Sequence, residues 1–207
     1  MKKALVILGP VLCIVIVLCI SKVFAVGTYL YQTHSQFYND DSLNSATAIG
    51  AQDANLTAWN SYQRIRLRLQ SESTGNTSGT STFQYNVDGG SFANVPTTLT
   101  GNGLLAVSDS PFFTNGSLTT QRLSTPTLPA NGTVFVTGNA LDTGVQTFTE
   151  LLSTYYYTEN EICLTFSYLA RKHTFGFRIY SAIGNNSYTY NTPYITIKAD
   201  NNVATGM

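Results

Sequence analysis

The segment Arg64-Ile65-Arg66-Leu67-Arg68-Leu69 alternates charged and apolar side chains over six consecutive residues. In an extended strand successive side chains point to opposite faces, so this run predicts a strand with one buried and one wet face. Shorter alternations recur at Phe83, Tyr85 and Val87, at Ile162, Leu164 and Phe166, and at Phe175, Phe177 and Ile179. Spaced by turn residues, they predict an all-β fold: an antiparallel β-sandwich, immunoglobulin-like or jelly-roll-like, of about eight strands. The sandwich is expected over residues 26–200, with 201–207 as a flexible tail.

Composition supports this reading. Of 207 residues, 43% are hydrophobic and only 11% charged, with 13 Tyr and 11 Phe. Ring and β-branched side chains fit a pleated surface, and no stretch rich in Ala, Leu, Glu and Lys offers a helix bundle. Other expected strands are residues 29–38, 133–137, 145–151 and 194–198. The Asp88-Gly89 pair, followed by residues 91–95, marks a hairpin turn after Val87. Residues 43–60 and the Ser/Thr/Gly stretch 71–81 read as loops. Residues 97–132, with Pro111, Pro126 and Pro129, read as a long irregular segment carrying one or two short edge elements.

The N-terminus carries its own signal. Met1-Lys2-Lys3 precedes an uncharged apolar run from Ala4 to Ile20, and Val23 and Ala25 suit a signal-peptidase site. A secretory signal peptide over residues 1–25, an N-terminal hydrophobic helix, is the expectation. The alternatives are an uncleaved membrane anchor and a pilin-like N-terminal helix cut near Lys3. Loss of residues 1–25 leaves eight Lys/Arg against eleven Asp/Glu, a net charge of −3. Nucleic acid is disfavoured as a partner, because phosphates call for a basic stripe.

Cys13 and Cys19 lie in the leader, so Cys163 is the remaining cysteine and cannot form an internal disulfide. The plain reading of Cys163 is a small strand residue on the face shared with Glu161 and Thr165. The sharper reading is an intermolecular disulfide.

Several segments together resemble a recurrent module of large, uncharacterised bacterial and metagenomic surface proteins. They are Phe37-Tyr38-Asn39-Asp40-Asp41, Ala51-Gln52-Asp53-Ala54-Asn55-Leu56-Thr57 and the Arg64–Leu69 strand. In the second half they are Tyr157-Thr158-Glu159-Asn160-Glu161-Ile162, Phe175-Gly176-Phe177-Arg178-Ile179, and Tyr188-Thr189-Tyr190 leading to Ile195-Thr196-Ile197. The resemblance implies a secreted β-sandwich and brings no catalytic residues with it.

The chemistry-bearing residues are few. His34 and His173 have no second His or Cys at metal-ligand spacing. Asn39, Asp40, Asp41 and Asp53 read as turn caps, with calcium ligation as the rival. Glu159 and Glu161 share a strand face and read as partners of cross-strand cations such as Arg64, Arg66 or Arg68. The rival is a glycosidase carboxyl pair. Trp59, Tyr155 and Tyr157, with Tyr156, Tyr188 and Tyr190, offer rings on which a sugar could stack. No cofactor, metal or catalytic residue is expected. The expected function is a secreted, non-enzymatic structural or interaction protein of the cell surface or matrix. A filament subunit donating residues 26–36 to a neighbour is a special case, and a carbohydrate-binding module is the alternative. Expected partners are protein, through self-association or a surface partner, or carbohydrate. The membrane is met only through an uncleaved leader.

Overall fold

The computed structural model describes residues 29–100, 103–126, 132–144, 146–182, 185–187 and 191–199. The leader, with Cys13 and Cys19, as well as Tyr188, Tyr190 and residues 201–207, lies outside them.

The described residues form β1 (Tyr29–Asn39), β2 (Ala48–Ile49), β3 (Leu56–Trp59), β4 (Ile65–Ser73), β5 (Thr77–Val87), β6 (Ala93–Asn94) and β7 (Leu105–Val107). They continue with β8 (Ser117–Leu118), β9 (Val134–Leu141), β10 (Thr147–Leu152), β11 (Tyr156–Phe166), β12 (Thr174–Ser181), β13 (Asn185–Ser187) and β14 (Tyr194–Ile197). One turn of 3-10 helix, Tyr168–Ala170, joins β11 to β12. The first sheet has the order β13-β1-β4-β11-β9-β8, with β2 beside β1 and β7 beside β11. The second has the order β10-β5-β12-β14-β3, with β6 beside β5. The all-β sandwich read from the sequence is the fold.

Four of its long strands, β4, β5, β11 and β12, are those that alternation marked. Phe37, Ile65, Leu67, Leu69, Ile162, Leu164 and Phe166 of the first sheet pack on Phe83, Phe148, Phe175, Phe177, Ile179, Ile195 and Ile197 of the second. Ring contacts such as Phe166–Phe175, 5.1 Å between centroids, cross the interface. Each such buried side chain contributes about 1.5–3 kcal/mol relative to exposure. Asp88 and Gly89, at φ 51° and 76°, make the expected hairpin turn and set Tyr85 opposite Ala93.

Three expectations are corrected. The sheets are mixed, since β11 runs parallel to β9, β1 to β13 and β14 to β3. Between β9 and β11 the chain visits the opposite sheet as β10, and that crossover returns it in the same direction. The supposed loop 71–81 is mostly strand: β4 runs on to Ser73, and β5 starts at Thr77 because β10 pairs with residues 77–82. Residues 29–38 form the expected first strand, β1, paired along β4 from Leu30 to Asn39, so the described part of the 26–36 arm is not free for a neighbour.

Candidate functional site: a buried ion-pair layer and the cleft at its margin

Alternation on β4 sends Ile65, Leu67 and Leu69 inward and Arg66 and Arg68 to the opposite face of the first sheet. That face was expected to be wet. It is covered, and Arg66 and Arg68 are fully buried. The cover is irregular chain, residues 40–47 and 109–126. Such chain cannot satisfy its own peptide groups by a ladder, so buried peptide groups need other partners. The charged side chains supply them. Arg66 donates to the carbonyl oxygens of Ser42 and Leu43, and Arg68 to that of Thr120 at 2.7 Å. Gln70 donates to the Ser124 carbonyl. In return Glu159 accepts from the backbone N–H groups of Arg122 and Leu123, at 2.9 and 2.8 Å.

The charges also meet one another. The β4–β11 register sets Arg68 opposite Glu161 and Gln70 opposite Glu159. Glu161 lies between two guanidinium groups, paired with Arg66 through one oxygen and with Arg68 Nε at 2.6 Å through the other. Arg68 Nη1 reaches Glu159 at 3.0 Å. Burial works against the charge on Arg68, but Glu161 and Glu159 outweigh it and hold its pKa above the ordinary value. Aromatic faces complete the layer. Phe113 lies 4.8 Å from the Arg66 guanidinium, and Tyr38 takes Arg122 at 4.3 Å and Arg68 at 5.7 Å. Gly138 of β9 allows the sheet to close here, since a Cβ would lie 2.1 Å from the Glu159 carbonyl oxygen.

The layer decides several sequence readings. Glu159 and Glu161 share a face and partner Arg66 and Arg68; both are fully buried, which removes them from any sugar substrate. Arg64, the first of the row, is the exception. Its side chain is 45% exposed and reaches Asp40 at 3.5 Å. Cys163 does share the face of Glu161, packed with Phe113 and Ala140. Its sulfur is fully buried and burial pushes the thiol pKa up, so the intermolecular disulfide is corrected: a second chain has no access to it. Asp53 accepts from the Ser35 N–H, Asn191 and His34, the last at 2.7 Å. Asp41 accepts from the Thr47 N–H. Among the described residues no cluster of three His, Cys, Asp or Glu side chains is placed to hold a metal ion.

The ring residues are dispersed. Tyr157 is 2% exposed and stacks edge-on with Phe135, which corrects its assignment as a sugar platform. Tyr155 is 53% exposed, with its N–H bonded to Ser73 at the far end of β4. Trp59 lies at the other end, beside Arg64. Eight strand steps of about 3.3 Å put these two rings some ~25 Å apart, so they do not form one platform.

Trp59 instead lines a cleft of about 350 Å³ with Asn39, Asp40, Gln63, Arg64 and Pro111. Pro111 also walls a wider, acidic hollow of about 670 Å³ lined by Asp109, Phe112, Phe113, Asn115 and Asp142 among others. Burial and the carboxylates of Asp109 and Asp40 raise the Asp142 pKa. Sequence reading named Trp59, Asn39, Asp40 and Arg64 separately, as a stacking ring, turn caps and a strand cation, and did not bring them together, because β1, β3, β4 and the irregular segment meet only in the folded chain.

Another buried carboxyl had no sequence signal. Glu150 of β10 accepts from Ser81 Oγ and from Asn160, beside a small cavity of about 90 Å³. Burial pushes its pKa up to about 7. Comparison with known proteins gives no matching family model, no matching curated protein and no matching solved structure.

Proposed function

We propose that this chain is an exported structural or interaction protein of the cell surface or matrix, and not an enzyme. The carrying observation is the buried Arg66–Arg68–Glu159–Glu161 layer, which clamps the irregular segment 109–126 onto the sandwich. A domain outside the cell often relies on disulfides, and this one has a single cysteine beyond its leader-like segment. A buried, hydrogen-bonded charge network gives the cover one geometry in their place. The basic and apolar start of the chain supports export, and the resemblance of residues 37–41, 51–57 and 157–162 to modules of surface proteins supports the setting. Expression of the full chain in an exporting host tests this. The expected result is a product cut after Ala25, recovered from the surface or medium, and visible by electron microscopy as discrete particles or polymers. A full-length product confined to the cytosol would overturn the proposal.

A second reading, a carbohydrate-binding module, is favoured by one observation: Trp59 borders a cleft with polar side chains around it.

A further inference from the structure

The loop that carries Trp59 is fixed in an unusual backbone. Ala58 and Tyr62, neither of them glycine, adopt φ of 59° and 63°. Left-handed backbone at such residues persists only where the surroundings impose it, and it clusters at binding sites. Here the surroundings are specific. The Trp59 carbonyl accepts from the Lys198 N–H at 2.7 Å, and the Tyr62 N–H donates to the Phe166 carbonyl at 2.7 Å. The indole packs partly on the core, and its Nε1 donates to the Gln63 carbonyl. The ring therefore stands in place before any ligand arrives, which lowers the ordering cost of binding.

The polar groups around it are only partly used. Asp40 accepts from Ser110 and from Arg64, and Arg64 also donates to the Asp109 carbonyl. Gln63 Oε1 accepts from Asn60. Among the described residues, the side-chain amides of Asn39 and Gln63 and the remaining N–H groups of Arg64 have no partner to donate to. A ring face with donors converging beside it matches the two sides of a pyranose. The C–H face stacks on an aromatic ring and the rim of hydroxyls accepts hydrogen bonds. A cleft of about 350 Å³ lies within the range that holds small ligands.

We propose that this cleft binds a neutral glycan, with a sugar ring against Trp59 and Pro111 and its hydroxyls taken by Asn39, Gln63 and Arg64. The inference rests on the carbohydrate-binding reading and gives that reading a place and a sugar class. The class follows from charge. Asp40 lies in the cleft and Asp109 and Asp142 lie in the hollow beyond Pro111, while Arg64 is already shared with Asp40. A polyuronate would run its carboxylates along three others, whereas a neutral chain meets no such repulsion.

Trp59 is the sole tryptophan, so its emission reports on this cleft directly. The experiment titrates the full chain with cellohexaose, laminarihexaose and mannohexaose, and with an oligogalacturonate of the same length. Calorimetry runs in parallel. The expected result is saturable change in tryptophan emission with at least one neutral hexasaccharide and none with the oligogalacturonate. Gln63→Ala and Arg64→Ala, both at exposed side chains that leave the ring in place, are expected to weaken binding roughly tenfold or more. Calorimetric binding with unchanged emission and no effect of either variant would place the sugar elsewhere. The site would then fall while the carbohydrate reading stood. Preference for the oligogalacturonate would overturn the neutral class. Heatless titrations with all four sugars, followed by a blank glycan array, would remove both.

Discussion

Glu161 is paired with both Arg66 and Arg68, and all three side chains are fully buried. Glu161→Gln keeps the shape and removes the charge, leaving Arg66 without an acidic partner. Breaking one side of a buried pair costs about 3–5 kcal/mol, and urea denaturation of the variant should show a loss of that size. An unchanged midpoint would mean that water already reaches the pair. Glu150 behaves in the opposite sense. Its folded pKa of about 7 lies above the ordinary 4.5, so the native state holds a proton that the unfolded state has released in between. Stability from this group is present below about pH 4.5 and is lost as pH rises through 7. Glu150→Gln cannot titrate. Its stability relative to the unmodified chain should climb between these pH values, by up to about 1.4 kcal/mol per pH unit. A flat difference between the two would show that Glu150 ionises freely.

At the scale of elements, the cover over residues 109–126 has little regular structure yet is tied down at its backbone. Arg122 and Leu123 donate to Glu159, and Thr119 Oγ1 to the Glu159 carbonyl. Hydrogen exchange at the Arg122 and Leu123 amides is expected to be slow, near that of β11 and far slower than at exposed turns such as Gly89 and Gly90. In Glu159→Ala the same two amides should exchange quickly, and if they do not, something other than this carboxylate protects them. The long strands were legible in the sequence because burial on one face leaves a period of two, plain in Ile65, Leu67 and Leu69. The cover was not legible, because alternation says which residues share a face and not what lies over it. Arg66 and Arg68 read the same whether they meet water or Ser42, Leu43 and Thr120. The strand ends at Ser71–Ser73 and Thr77–Ser81 were missed for a related reason. Their Ser and Thr residues suit a loop until β10 arrives to pair with them.

In the whole molecule three layers share one central sheet: the second sheet on its apolar face and the cover on its charged face. Trp59 stands where the layers meet, beside β1, β4 and the irregular segment, and that meeting explains why the cleft had no signature in any single stretch. Tyr157, chosen from the same composition of rings, went to the interior because β11 is flanked by β4 and β9. The sealed position of Cys163, under the cover against Phe113 and Ala140, has a practical outcome. In a chain beginning at residue 26 this sulfur is the sole target for a thiol-reactive dye, and the dye meets it only while the cover is lifted. Labelling speed thus serves as a clock for that opening, ticking slowly in the parent chain and many times faster after Glu161→Gln.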